Sequence, residues 1–269
     1  MTILTISNNN LSMGISTSGG RIVSFKIDDQ ESLVQQGIQV GSTFWPAPQS
    51  LWGWPPPAIL DEEQYDVLEH SETCIVLQSK ADDKLAVKLQ KILTCKKNGI
   101  EVTYKLVNIS EKPNQMAPWE ITRLEGGVTF YESSCQLESQ STCDIEQLGK
   151  YQWYDYQPEL LADPVPKIFA NESTGWLANA HKGLLLIKQF TPVEKCNVAP
   201  GESEVEIYAH QDAANAYIEI EQQGAFEVIE SGESLSWSVL WCLSRLDKQV
   251  TIKSGNQLLI DHVHNHLKL

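Results

Sequence analysis

The sequence predicts an all-β chain built as two packed antiparallel sheets, and three observations predict it. Stretches of period-two alternation bounded by turn residues recur along the 269 residues. No segment shows a convincing amphipathic helix. Short links such as Lys96-Lys97-Asn98-Gly99, in which Asn-Gly supplies the positive φ of a hairpin turn, imply antiparallel neighbours. A chain of this length can bury one large core, so residues 1–269 read as a single domain, and eight to a dozen or more strands in one unit imply two sheets.

Gly19-Gly20-Arg21 precedes a strand rather than a helix and reads as a turn, not a phosphate cradle. The strand it opens is Arg21–Ile27, and Glu31–Gln36 is either a turn of helix or a further strand. From Gly41 to Pro57 the chain reads GSTFWPAPQSLWGWPPP, with Phe44, Trp45, Trp52 and Trp54 among five prolines and Gln49. Proline lacks the backbone donor and fixes its own φ, so a rigid irregular loop is expected here rather than a helix or central strand. Cys74–Ser79, Leu85–Leu93 and Ile100–Val107 read as strands, the last followed by Asn108. A long aromatic-rich insertion is expected at about 131–166, carrying Tyr151, Trp153, Tyr154 and Tyr156, with a short helix within Asp144–Lys150. It reads as a wall of the same groove as the tryptophan loop. Gly183–Phe190, Val205–Ala209, Ala216–Gln222 and Ser234–Leu243 complete the strands; Trp237, Val239 and Trp241 alternate on one side of the last and read as core. His262, His264 and His266 would line one face of a terminal strand, a geometry that can bind metal, but no metal site is expected in so terminal a segment.

Twenty basic against 35 acidic residues give a net charge of -15, which repels phosphate backbones and anionic membrane surfaces. Neither nucleic acid nor a membrane is expected as a partner. The first twenty residues lack a basic start and a continuous apolar core, and six cysteines show no CxxC and no regular spacing. Reduced thiols and a cytoplasmic location are the expectation. There is no GxSxG, HExxH or Walker sequence, and no cofactor is expected. The lysines are scattered as on a solvated surface, whereas the arginines number only three, Arg21, Arg123 and Arg245.

Indole rings on a stiff loop lose little entropy when they meet a ligand, and the CH-rich face of a sugar stacks well on them. Trp45, Trp52 and Trp54, with Gln49, therefore read as a sugar-binding wall; the alternative is a satellite core wedged under a sheet edge. In Tyr217-Ile218-Glu219-Ile220-Glu221 the isoleucines point inward, leaving Tyr217, Glu219 and Glu221 on the other face with carboxylates about 7 Å apart along the strand. In Glu204–His210 the outward set is Glu206, Tyr208 and His210. If the two segments pair, they form an acid/base surface; the alternative is a solvated outer face. In Met116–Leu124 alternation puts Trp119 and Arg123 on one face and Glu120 on the other, unless Pro118 starts a bulge that turns Glu120 round. Arginine beside indole makes a sugar clamp, or a structural cation–π pair.

The order of motifs resembles the galactose mutarotase-like superfamily over most of the chain. The resemblance rests on Gly19-Gly20-Arg21-Ile22-Val23-Ser24-Phe25, Val107-Asn108-Ile109-Ser110, Glu219 in its strand, and Ser231-Gly232-Glu233 before the last strand. Phe44-Trp45-Pro46-Ala47-Pro48-Gln49, Trp52-Gly53-Trp54-Pro55-Pro56 and Ala117-Pro118-Trp119-Glu120 are similar to an uncharacterised family of domains within it. The resemblance implies a two-sheet β-supersandwich with a sugar or oligosaccharide groove on the concave face of one sheet, and an aldose 1-epimerase-like reaction with Glu219 as base. The histidine acid of the mutarotases has no counterpart, because Pro118-Trp119-Glu120 stands in its place. His210 and Glu120 are the substitute acids, and Trp45, Gln49, Trp52, Trp54, Trp119, Arg123 and Glu221 the substrate contacts. A non-catalytic carbohydrate-binding protein, and a domain whose groove takes a protein partner, are the alternative functions.

Overall fold

A computed structural model describes residues 2–37 and 40–268. Two sheets of ten strands each face one another, and every strand pairing among the described residues is antiparallel. The first sheet runs in space Ile3–Asn8, Leu11–Ser16, Ile22–Ile27, Ser42–Ala47, Asn114–Leu124, Ile218–Gln223, Val205–Ala209 and Lys167–Ala170, with Gln30–Glu31 and Glu227–Ile229 as side branches. The second is centred on Trp176–His181, Leu184–Gln189, Ser234–Arg245, Gly99–Asn108 and Val87–Lys96. Alternation along each strand sends one set of side chains between the sheets, where Phe44 stacks on Tyr104 at 4.4 Å and Phe25 meets Trp241 edge-on at 5.5 Å. Trp237, Val239 and Trp241 belong to this core, as their spacing predicts.

Three local expectations are overturned. Ser42–Ala47, inside the proline-rich segment, is an inner strand of the first sheet rather than irregular loop. Pro46 lies opposite Pro118, a pair in which neither residue has an N–H, so the missing donor is turned away from the ladder. On that outer side the Ile22–Ile27 strand pairs only through Ile22 with Ser42, and the Pro46 carbonyl instead accepts from the Trp52 indole N–H at 2.7 Å. The sheet gives up no bond there. Glu146–Leu148 is a strand, not a helix, and pairs with Tyr151–Asp155 in the second sheet. The histidine tail is the helix Gln257–Leu267, begun by the Asn256 side chain accepting from Leu258 N. Leu259, Ile260 and Val263 press this helix on a second apolar cluster around Phe130, Trp153 and Trp176. At helical spacing His264 parts from His262 and His266, and no group of three metal-ligating side chains occurs among the described residues. No described helix is long and apolar enough to cross a membrane.

The Gly19-Gly20 turn is as expected. A Cβ on Gly19, which has a φ of +66°, would stand 1.9 Å from the Asp61 carbonyl oxygen. The turn's two carbonyls accept from the buried Lys91 ammonium at 3.0 and 2.7 Å.

Between the sheets lies a buried ion pair. Lys188 Nζ is 2.7 Å from Glu120 Oε1 and 2.8 Å from Thr122 Oγ1, while Glu120 also accepts from Tyr104, Trp241 and Gln222. Burial lowers the Lys188 pKa to about 7 against the pull of Glu120. Removing one partner strands a charge in the core. Lys188→Met should cost about 3–5 kcal/mol, and adding Glu120→Gln should recover part of that loss, as read from urea unfolding of the two variants. A single variant as stable as the wild type would contradict this account.

Candidate functional site

The site occupies the outer face of the first sheet, on the side turned away from the core. Arg123 lies opposite Glu219, Glu219 opposite Tyr208, and Tyr208 opposite Lys167, so one polar row crosses four strands. Two residues along, Ile121, Glu221, Glu206 and Phe169 form the next row, and Trp119 opposite Trp45 begins a third. Loops carrying Gln36, Gln49, Glu202, Val165 and Asn215 enclose these rows in a cleft of about 1360 Å³.

The expected hairpin of the Val205–Ala209 and Ile218–Gln223 strands therefore exists, and its polar face lines a cleft rather than open solvent. Glu219, Glu221, Tyr208, Tyr217 and His210 all border it. His210 stacks on Tyr217 at 4.5 Å, and its Nδ1 is 3.2 Å from the Tyr208 hydroxyl. From the tryptophan segment, Trp45, Trp54 and Gln49 reach the cleft. Trp54 is 65% exposed at the rim; Trp45 is mostly covered and meets Trp54, Trp119 and Trp52 edge-on at 6.0, 5.5 and 5.7 Å. Trp52 does not border the cleft. It is buried behind Trp45, so the satellite-core reading holds for this one ring.

Glu120 lies outside the cleft as well. No bulge interrupts the register between Trp119 and Leu124, so parity carries Glu120 into the inter-sheet core, 0% exposed, where it pairs with Lys188. Of the aromatic stretch at 131–166 only Val165 borders the cleft; Trp153 packs in the second cluster and Tyr154 and Tyr156 in the main core.

Arg123 is fully buried. Its Nε donates to Glu219 Oε1 at 2.7 Å and its Nη1 to Thr43 Oγ1 at 3.2 Å, its guanidinium lies 5.7 Å from the Trp45 ring centre, and Nη2 has no hydrogen-bond partner among the described residues. The Trp119 indole N–H donates to Glu221 Oε2 at 2.9 Å. Lys167, which scattered lysines gave no reason to single out, reaches Glu206 Oε2 at 2.6 Å and Glu221 Oε2 at 3.4 Å. The signal was there in parity, since Ile168 and Ala170 point inward and leave Lys167 and Phe169 outward beside Tyr208 and Glu206. Burial raises the Glu206 pKa to about 7 against the opposing charge of Lys167, with Glu202 adding to the rise. Burial likewise raises Glu221 to about 8, again against Lys167, while Glu206 and Glu219 add to the rise.

Residues 49–244 match the family described as a domain of unknown function, DUF4380. The chain belongs to the DUF4380 family. No curated protein matches it in sequence. Among solved structures, it is similar to a galactose mutarotase-like protein from Lactobacillus casei, with a TM-score of 0.69 and 11% identity over 90% of this chain and 100% of that one. A galactose mutarotase related enzyme from Lactobacillus acidophilus gives 0.64 and 12% over 94% and 100%. At such identities the likeness is one of fold: the DUF4380 chain has the galactose mutarotase-like β-sandwich.

The carboxyl pair links stability to pH. Between about pH 5 and 8 the folded chain keeps a proton that the unfolded chain, with ordinary glutamates near 4.3, has released; stability from this source falls as pH rises through that window. Urea midpoints taken in steps from pH 5.5 to 7, below the range in which the buried Lys91 and Lys188 lose their protons and add a rise, should show the decline, and Glu221→Gln should flatten it. An unaltered slope in the variant would refute the link.

Proposed function

We propose that the cleft binds a sugar or short oligosaccharide and that the protein is carbohydrate-active, opening and reclosing a hemiacetal in the manner of an aldose epimerase. One observation carries the reading: an indole wall of Trp45, Trp54 and Trp119 stands beside a row of hydrogen-bonding groups, Arg123, Glu219, Tyr208 and His210, within a single cleft. Stacking rings next to fixed polar groups suit a ligand with a CH-rich face and a hydroxyl rim. Glu219 is the base for the anomeric hydroxyl, held in place by the Arg123 Nε–H. Arg123 Nη2, left without a hydrogen-bond partner among the described residues, is a donor for a ligand oxygen. His210 and Glu221 border the same cleft as sources of the proton for the ring oxygen. The similar fold of the mutarotase-like proteins supports the reaction class. The resemblance sets Pro118-Trp119-Glu120 where mutarotases carry their histidine, which favours a second reading, a binding protein that has kept the groove without the chemistry.

A sugar and oligosaccharide panel screened by thermal shift tests the binding claim, because a ligand of the native state raises the melting temperature. No shift with any member would sink it. With a binder in hand, Trp45→Ala or Trp54→Ala should weaken affinity by about 1–3 kcal/mol in calorimetry, whereas Trp52→Ala should lower stability and spare affinity.

Arg123→Lys keeps the charge beside Glu219 but loses the fork. Affinity for the same sugar should drop by about 1.5–3 kcal/mol, the worth of a charged hydrogen bond. Equal calorimetric affinity in the lysine variant would remove Arg123 from the ligand contacts.

A further inference from the structure

We propose that Glu221 is the proton-bearing carboxyl of the cleft, giving a proton from Oε1 to an oxygen of the bound sugar. The inference rests on the epimerase reading for its reaction but on hydrogen-bond geometry for the proton. Glu206 and Glu221 are both buried to within about a hundredth of full cover, and one ammonium, Lys167, lies between them. Two carboxylates and one cation out of water leave one negative charge too many, so the pair holds a proton.

Donors decide which carboxyl holds it. Glu206 accepts at Oε1 from Ser203 N at 2.7 Å and Gln223 Nε2 at 3.2 Å, and meets Lys167 at 2.6 Å through Oε2. Two hydrogen-bond donors on Oε1 and the nearer contact with the Lys167 cation stabilise its ionised form, although Oε2 meets Lys167 as an ion pair without hydrogen-bond geometry. Glu221 has one close donor, the Trp119 indole N–H, and a distant one, Lys167 at 3.4 Å, both on Oε2. Its Oε1 is buried without a hydrogen-bond partner among the described residues, and the residue lines the cleft. An orphaned buried carboxylate oxygen is costly, whereas a carboxylic acid O–H waiting for an acceptor is not. The charged and titratable groups that face Glu221 are Glu219 on its own strand, Arg123 on the Asn114–Leu124 strand, Glu206 and Tyr208 on the Val205–Ala209 strand, and Lys167 beyond. Arg123 is already bonded to Glu219, and Lys167 lies nearer Glu206, at 2.6 against 3.4 Å, so Glu221 is the less well held of the two as an anion.

Glu219 and Glu221 share a strand face with their side chains about 7 Å apart, close to the span of a hemiacetal with one hydrogen bond on either side. Glu219 takes the proton of the anomeric hydroxyl, the C–O bond to the ring oxygen breaks with its electron pair going to that oxygen, and the ring oxygen takes the Glu221 proton. A carbonyl forms at the anomeric carbon. After rotation about the adjoining C–C bond, the new hydroxyl attacks from the other face, its proton returns to Glu221, and the carbonyl oxygen takes back the proton held by Glu219. No oxidant, reductant or metal enters the balance.

Side-chain carboxyl NMR of protein labelled with ¹³C-glutamate locates the proton without reference to activity. One wild-type glutamate should titrate near pH 8, where the burial of Glu221 beside Glu206 places it, and that signal should be absent in Glu221→Gln or, if the amide fails to fold, moved in Glu221→Asp. A wild type in which every glutamate titrates below about pH 5.5 overturns the proposal, as does a high-pH signal that survives both variants. The second arm follows anomer exchange of D-glucose, D-galactose and any sugar that raises the melting temperature, by polarimetry. Glu221→Gln should slow exchange at least about 100-fold at unchanged sugar affinity. Full exchange in that variant with its loss in His210→Gln would move the acid to His210. A wild type that speeds none of these sugars defeats the epimerase reading, while the carboxyl titration still decides where the proton sits.

Discussion

Strict alternation along Asn114–Leu124 is the constraint on which both halves of the molecule depend. Trp119, Ile121 and Arg123 face the cleft, and Glu120, Thr122 and Leu124 face the second sheet, with no bulge between them. A slip of one residue would exchange the two sets, placing Arg123 in the core and removing Glu120 from Lys188. The core therefore fixes the cleft's register. Glu120 collects Lys188, Tyr104, Trp241 and Gln222 from four other strands, and such a network tolerates only one alignment of the sheets. Behind the cleft is a charged lock, and the cleft's own charges sit on the reverse side of the same residues' neighbours.

The parts of this arrangement that were legible in the sequence are those set by parity. The Val205–Ala209 hairpin, the inward Ile218 and Ile220, and the opposition of Glu120 to Trp119 and Arg123 all follow from period two and hold in the structure. What was hidden depends on distant contacts. Ser42–Ala47 is an inner strand because Pro46 meets another proline, Pro118, seventy-two positions away in sequence, a coincidence that local propensity cannot register. The Gln257–Leu267 helix was masked by three histidines at alternate positions, although Leu259, Ile260 and Val263 carry the helical spacing that packs it on the second sheet.

Lysine misled the reading most. Lys91 shares its face with Val87, Leu89 and Leu93, and Lys188 with Leu184 and Leu186, so period two already placed both inward. Composition suggested a solvated surface, because a buried lysine needs partners that sequence does not display. Lys91 finds two carbonyls in the Gly19-Gly20 turn, and burial still draws its pKa down to about 7. Lys167 finds two carboxylates, and these outweigh its own desolvation to raise it. Lys188, with the single carboxylate of Glu120, is also drawn down to about 7, so burial prevails over one carboxylate and is outweighed only by the pair around Lys167.

That contrast bears on what the cleft can hold. Its two inner cations are neutralised in place, Arg123 by Glu219 and Lys167 by Glu206, so the floor offers no excess positive charge to an anion. Glu125, Glu202 and Asp212 border the same space, and the chain as a whole carries a net charge of -15. A phosphorylated or carboxylated ligand would enter against this field, whereas a neutral polyol meets paired charges whose remaining donors and acceptors are fixed in direction. Charges tied to one another in this way act as oriented hydrogen-bonding groups more than as charges. With the indoles of Trp45 and Trp119 packed against the Arg123 and Lys167 side chains, the apolar and polar halves of the cleft are held by the same contacts. Loosening either pair would disturb the stacking wall and the hydrogen-bonding row together.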